Sequence, residues 1–106
     1  MVVVQAGDLC EDTYHSDYCL VIKEIEPSGP DKSYAVLVVD NTKIIESLTP
    51  NDILKASIRA KQIKNESDTK GIDTSLGYLS ISVSYNRDLA LVMPGAVKIP
   101  RILPRL

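Results

Sequence analysis

The residues best suited to chemistry lie close together between positions 10 and 19. Cys10, His15 and Cys19 form a C-x4-H-x3-C pattern, with Asp12 and Asp17 between them. Thiolate, imidazole and carboxylate groups are donors that zinc accepts, but a structural zinc site needs four ligands and usually presents a C-x2-C pair. Because this pattern lacks that pair, we expect no metal here, and we expect no cofactor elsewhere in the chain.

The two cysteines allow a second interpretation. Cys10 and Cys19 flank a polar, turn-forming stretch, so they could be cross-strand neighbours at the Cα separation of about 5.5 Å that a disulfide requires. A reducing cytosol argues against a permanent bridge, although that argument ends once a protein leaves the cell. The simplest interpretation of Cys10 and Cys19 is two half-buried free thiols. The acidic neighbours of His15 would suit a pH switch, but the simplest interpretation of His15 is a solvated residue in a loop.

The signatures of common enzyme classes are absent from the sequence. The chain has one histidine, no nucleophile elbow, no glycine-rich phosphate loop and no pair of carboxylates in an apolar setting. We therefore predict that the protein is not an enzyme and has no catalytic residues.

The composition indicates a small β-rich domain. The chain has 106 residues, of which 44% are apolar, with no Phe or Trp. The apolar residues are mostly Ile, Val and Leu, and β-branched side chains favour strands. No apolar run reaches the 18 residues of a membrane span, and the first residues lack the basic start of a signal peptide, so we expect neither a membrane protein nor a secreted one.

Apolar runs and turn residues predict the elements of the first half. Strands are predicted at residues 8–10, 19–25, 34–39 and 43–47. A single helical turn is predicted at residues 48–53, because Thr49 can cap it and Pro50 suits its first position.

The second half gives weaker signals. Residues 54–61 alternate apolar and polar, which predicts a strand with a basic face carrying Arg59 and Lys61. Residues 64–77 suggest a mobile or partner-ordered loop. Residues 79–85 and 89–93 predict a hairpin, and the two prolines after residue 95 predict an extended arm.

The charges divide the chain into an acidic and a basic half. Residues 1–55 contain ten acids and four bases, whereas residues 56–106 contain four acids and eight bases. The acidic half would repel phosphate, and the basic half lacks the interleaved aromatic residues on which bases stack. We therefore expect no nucleic-acid binding. Tyr14, Tyr18 and Tyr34 could form an aromatic surface like the groove by which SH3 domains bind proline-rich peptides, but without Trp or Phe it would be thin. Edge packing of the tyrosines, with their hydroxyls in water, is the preferred interpretation.

Four segments resemble a known family. These segments, in chain order, are GDL at residues 7–9, LVIKEIE at 20–26, YAVLVVDNTK at 34–43 and ESLTPNDI at 46–53. Together they resemble small SH3-like barrel proteins encoded by tailed bacteriophages. The resemblance implies an all-β fold with an SH3-like small barrel in the first half of the chain. With the elements predicted from the second half, the expected fold is an SH3-like small barrel with an additional β-hairpin and an extended C-terminal arm. The expected division is a barrel at 1–55, additional strands at 56–93 that pack on the barrel or complete it, and the arm at 94–106. Val38 and Val39 replace the usual Leu-Trp pair, which removes the tryptophan of an aromatic ligand groove.

The resemblance and the arm together imply a structural function. We expect a virion protein, assembled in the host cytoplasm, that acts in many copies or as a homo-oligomer. It would be a capsid cement or decoration subunit, or another head or tail accessory protein, that binds neighbouring virion proteins. The alternative is a small intracellular binding module or regulator of host machinery, and a nucleic-acid-binding barrel is a third.

The expected partner-binding residues lie in the arm and on the basic face. They are Val97, Lys98, Ile99, Arg101, Ile102, Leu103, Arg105 and Leu106, with Arg59 and Lys61. Exposing the apolar members to water would cost roughly 25 cal/mol per Å². The arm therefore either folds back on its own barrel or crosses a neighbouring subunit, and residues 1–5 could add a strand to an open sheet edge.

Overall fold

A computed structural model describes residues 4–25, 31–42, 44–65, 67–97 and 99. The elements are β1 (Leu9–Asp12), β2 (Asp17–Ile25), β3 (Ser33–Val39), α1 (Ile44–Ser47), α2 (Pro50–Ala60), β4 (Lys70–Thr74), β5 (Gly77–Tyr85), a 3₁₀ turn (Asn86–Asp88) and β6 (Leu89–Met93). Neither helix of this described part is long and apolar enough to cross a membrane.

The strands form one antiparallel sheet in the order β4-β5-β3-β2-β1-β6. The fold is mostly β with two short helices, which agrees with the all-β prediction. In a flat sheet β5 and β6 would lie about 19 Å apart, yet the chain from Tyr85 to Leu89 reaches at most about 14 Å. The sheet must therefore curl so that β5 approaches β6. No pairing joins β4 to β6 among the described residues, so the sheet is not closed.

The predicted hairpin of residues 79–85 and 89–93 is wrong. Both strands exist, but β5 pairs with β3 and β4, whereas β6 pairs with β1 at the far edge. The hairpin partner of β5 is β4, which lies inside the stretch predicted as a loop at residues 64–77. Gly77, with a φ of 111°, closes this β4–β5 hairpin. Ile72 is the one large apolar residue of β4, which explains why the strand signal was weak.

The strand predicted at residues 54–61 is also wrong, because residues 54–60 belong to α2 and Lys61 caps that helix. The Thr49 hydroxyl accepts a hydrogen bond from the Asp52 amide at 3.2 Å, and the Asp52 carboxylate accepts one from the Thr49 amide at 3.0 Å. This capping box, with Pro50 in the first turn, begins a helix of eleven residues rather than a single turn. Its buried residues recur at helical spacing: Asp52, Ile53, Ala56, Ser57 and Ala60. Residues 44–47, predicted as strand, form α1.

Both faces of the sheet are covered. Successive residues of β2 point to opposite faces, so that Leu20 packs into one cluster and Val21 into another. The larger cluster lies between the sheet and α2, and its buried members include Leu9, Leu37 and Ile53. The smaller cluster contains Val4, Cys10, Cys19, Val21, Tyr34, Val36 and Leu89. The burial of β3 on both faces explains its nearly continuous apolar sequence.

Candidate binding groove at the hairpin tip

The buried carboxylate of Asp12 organises the tip of the β1–β2 hairpin. Its side chain is 2% exposed. It accepts hydrogen bonds from the Tyr14 and His15 amides at 3.0 and 3.1 Å and from the Ser84 hydroxyl at 2.7 Å, and His15 Nδ1 lies 3.1 Å away. Burial alone would raise the pKa of Asp12, but the bonds from Ser84 and His15 outweigh it and hold the pKa below its usual value. The carboxylate therefore stays ionised at neutral pH.

Backbone contacts fix the same tip to the 3₁₀ turn. The Thr13 amide and hydroxyl both donate to the Asp88 carbonyl, at 2.8 and 2.9 Å. On the far side of the turn, the Asn86 amide donates to the Lys32 carbonyl at 2.9 Å. The hairpin tip, the end of β5 and the turn therefore form one hydrogen-bonded unit.

A groove of about 540 Å³ opens between these elements, and we call it the aromatic groove. Its lining residues are Tyr14, His15, Val83, Tyr85, Arg87 and Asp88.

The rings and the cation of the aromatic groove are arranged in pairs. The rings of Tyr14 and His15 meet edge to face at 4.8 Å. The Arg87 guanidinium lies 5.2 Å from the centre of the Tyr85 ring and 3.0 Å from the Asp31 carboxylate. Tyr14 is 76% exposed, so that its ring is open to a ligand. Aromatic rings beside an arginine and exposed hydrogen-bonding groups are typical of surfaces that bind protein segments.

Within the described residues, the two cysteines of the C-x4-H-x3-C pattern are neighbours, but its histidine lies apart from them. Cys10 and Cys19 are directly opposite each other on β1 and β2 and are buried free thiols. Burial raises the pKa of Cys10 to about 11 and that of Cys19 to about 12. His15 lies at the exposed tip against Asp12 instead. Within the described ranges, no three His, Cys, Asp or Glu residues are grouped to hold an ion.

The predicted partner-binding residues occupy separate places. Arg59 lies in the last turn of α2 and exposed Lys61 caps that helix, so neither belongs to a strand. Val97 and Ile99 are half-buried against the protein's own core, and the Val97 amide donates to the Gly7 carbonyl at 3.3 Å. Lys98, Arg101, Ile102, Leu103, Arg105 and Leu106 lie outside the described residues, as do the first three residues of the segment proposed for strand addition.

The aromatic groove differs from the tyrosine surface that the sequence offered as an alternative to edge packing. Tyr34 is buried and Tyr18 packs against the larger core cluster, so of those three tyrosines only Tyr14 lines the groove. Tyr85 and Arg87 were missed. The sequence indicated only their local positions: Tyr85 is the last residue of the clearest strand pattern, and Arg87 lies in the polar turn that follows it.

Comparisons with known proteins give no match. No family model, no curated protein and no solved structure matches the chain. A function must therefore be argued from the residues and geometry of the chain itself.

Proposed function

We propose that the protein is a non-enzymatic structural protein of a tailed-bacteriophage particle. It is an SH3-like barrel that serves as a capsid cement or decoration subunit, or as another head or tail accessory subunit. The aromatic groove is the observation that carries the proposal, because it offers exposed rings on a rigid frame. The groove and the C-terminal arm bind neighbouring virion proteins.

The strand order supports the barrel assignment. Strands β1, β2, β3 and β5 are successive neighbours, and β6 returns through the 3₁₀ turn to pair with β1. In the proposed barrel these five strands curl round with one pairing missing, and α1, α2 and β4 are an insertion between β3 and β5. This arrangement suits the resemblance of residues 7–53 to SH3-like phage proteins.

The rigidity of the groove favours binding. Asp12 and Thr13 tie the tip that carries Tyr14 to β5 and to the 3₁₀ turn. A surface ordered before binding loses little conformational entropy when a partner docks, so more of the contact energy remains as affinity. Tyrosine and arginine side chains are also the commonest anchors of protein interfaces.

A second candidate function follows from the start of the arm. Val97 and Ile99 pack on the protein's own core, which supports an arm that begins by folding back. In that case the chain is a small intracellular module that binds a host or phage protein through the aromatic groove alone. Deleting residues 100–106 separates the two functions: the virion subunit loses assembly, whereas the module keeps its binding.

Quantitative mass spectrometry of purified particles tests the proposal. The chain should be present in a fixed ratio to the major capsid or tail protein after gradient purification and a high-salt wash. Its absence from such particles, while the infected cell contains it, would overturn the virion assignment and favour the intracellular module.

A further inference from the structure

A second groove, of about 320 Å³, lies between α2 and β4, and we call it the basic groove. Its lining residues are Lys55, Ile58, Arg59, Gln62, Ile72 and Asp73. The four from the helical side recur at the spacing i, i+3, i+4 and i+7, which places them on one stripe facing the sheet edge. The other wall is β4, an edge strand of the sheet.

The edge of β4 directs backbone groups toward this groove. Thr74 pairs with Gly77 across a two-residue loop, so this pair exchanges hydrogen bonds within the hairpin. By alternation, Ile72 also bonds toward β5, whereas Gly71 and Asp73 direct their amides and carbonyls outward. Lys55 Nζ donates to the Asp73 carbonyl at 3.3 Å, which agrees with an outward-facing carbonyl. An added strand would take over this carbonyl, and Lys55 would turn to a carboxylate of the ligand.

The side chains of β4 divide between the two faces of the sheet. Ile72 is buried against the core that α2 covers. Asp73 is paired with Tyr78, so both side chains lie on the opposite face from Ile72. A side chain at Gly71 would overlap the Tyr78 ring, which occupies that face. Asp73 therefore contributes its backbone, and not its negative charge, to the basic groove.

Two cations of the basic groove have no acidic partner among the residues that the structure describes. Within the described ranges, neither Lys55 nor Arg59 forms an ion pair, and Arg59 donates to the Gln62 side chain at 3.3 Å. Asp52, the acid nearest to Lys55 on the helix, is engaged by the Thr49 amide and by Ser75. A ligand carboxylate would therefore meet two cations that no described acid neutralises.

We propose that the β4 edge binds an extended acidic segment of a partner protein as a seventh strand. Its backbone pairs with Gly71 and Asp73, as in other cases of strand addition.

Groove-facing positions carry carboxylate, apolar and carboxylate side chains, because Lys55 and Arg59 lie on either side of Ile58 along the helical stripe. The two carboxylates would be about 13 Å apart, farther than the roughly 6 Å between the backbones of the two cations. The long side chains cover the difference, since Arg59 extends toward Gln62 and away from Lys55. The apolar side chain contacts Ile58 and Ile72, and the carboxylates meet the two cations.

This site does not depend on the aromatic groove. Leu79, the partner of Ile72, and Tyr85 are six residues apart on β5, a distance of about 20 Å. Failure of one site to bind would therefore leave the other untouched.

A labelled peptide tests the proposal on the full chain. The probe is a blocked heptapeptide, threonine-glutamate-threonine-valine-threonine-glutamate-threonine, followed by fluorescence anisotropy at 0.15 M salt. We expect saturable binding, no binding of a version with lysine in place of glutamate, and at least a tenfold loss when the backbone amides that would pair with β4 are N-methylated. Absence of saturable binding by the first peptide, or equal binding of the N-methylated one, would overturn the proposal.

Surface variants distinguish binding of the peptide in the basic groove from nonspecific electrostatic attraction to the basic residues of the helix. Lys55→Ala and Arg59→Ala should each weaken binding about fivefold, whereas Lys64→Ala, which removes an exposed cation outside the groove, should not change it. Circular dichroism checks that each variant is folded. An equal loss of binding in Lys64→Ala would contradict the proposal. A dimer of the free chain that dissociates in Arg59→Ala would also contradict it, because a second copy of the chain would then occupy the β4 edge.

Discussion

The Ser84 hydroxyl lies 2.7 Å from the buried Asp12 carboxylate, although 72 residues separate the two in the chain. This hydrogen bond joins β5 to the tip of the β1–β2 hairpin, two elements that are not neighbours in the sheet order. The Asp12 carboxylate also accepts hydrogen bonds from the backbone amides of Tyr14 and His15, in the loop at that tip. The stability of the curled sheet and the shape of the aromatic groove therefore depend on the same side chain.

Replacing Asp12 should destabilise the protein strongly. Asp12→Ala removes the acceptor of two backbone amides and the Ser84 hydroxyl, so that these groups lose their partners. Losing a buried, charged hydrogen-bonding centre costs about 3 kcal/mol of the free energy of unfolding. Urea denaturation followed by circular dichroism measures this change.

Asp17→Ala is the matched control. Asp17 is the cross-strand partner of Asp12, but it is exposed. An exposed carboxylate away from such a network usually changes the free energy of unfolding by no more than about 0.5 kcal/mol. If the two variants were equally stable, Asp12 would not have the central role assigned to it.

The stability of the protein should fall in acid. Burial alone would raise the pKa of Asp52, but hydrogen bonds from Ser75 and Thr49 lower it from 3.8 to about 2. A carboxylate with a lower pKa in the folded than in the unfolded chain stabilises the fold fully above about pH 5, and this contribution disappears as the pH falls toward 2. The Asp12 pKa is shifted in the same direction.

Asp52→Asn tests this explanation. The variant should be less stable than the wild type at pH 7, and the difference should narrow as the pH falls from 5 to 2, as urea denaturation at each pH would show. A stability difference that stays constant over this range would mean that Asp52 does not titrate with the lowered pKa.

Two glycines with positive φ angles provide a test of the docking of the arm. Gly7 has a φ of 93°, and an added Cβ would lie 2.7 Å from the Val97 carbonyl oxygen. Gly95 has a φ of 61°, and its added Cβ would meet no atom within 4 Å. Gly95→Ala should therefore cost about 1 kcal/mol of unfolding free energy from the backbone alone, and Gly7→Ala about 1 kcal/mol more. Equal costs would argue against the packing of Val97 on Gly7.

A strand could be predicted from the sequence where a single short segment contains both the apolar run and the turn residues that bound it. Residues 19–25 and 34–39 are apolar runs between turn residues, and β2 and β3 match them closely. The strand pairing was harder, because the sequence around Asn86–Asp88 suits both a hairpin and a crossing to another strand. The pairing of β6 with β1 depends on contacts between residues about 80 positions apart, such as Cys10 with Leu91.

Helix α2 shows how two periodicities can compete in one segment. The alternation of Ile58 and Ala60 with Arg59 and Lys61 fits a strand, but alanines satisfy either pattern because they are small. Ile53, Ala56 and Ala60 recur at helical spacing and are all buried. The capping box at Thr49 decides the outcome, since it begins a helix that no residue before Ala60 breaks.

The aromatic groove could not be predicted from local patterns. Tyr14 and Tyr85 are brought together by the hydrogen bonds of Asp12 and Thr13 to β5 and the 3₁₀ turn. A tyrosine that follows a strand gives no indication of which loop it will face. Arg59 was identified as a binding residue for its charge, and its groove became visible only once the β4 edge was placed beside α2.

Incorporation into particles tests the central claim, that the aromatic groove binds a neighbouring virion protein, most directly. The measurement is the number of copies per purified particle, by quantitative mass spectrometry, for Tyr14→Ala and for Tyr78→Ala. The two tyrosines are similarly exposed, at 76% and 71%, but only Tyr14 lines the groove. We predict at least a tenfold loss for Tyr14→Ala and wild-type incorporation for Tyr78→Ala. Wild-type incorporation of a folded Tyr14→Ala variant would contradict the account.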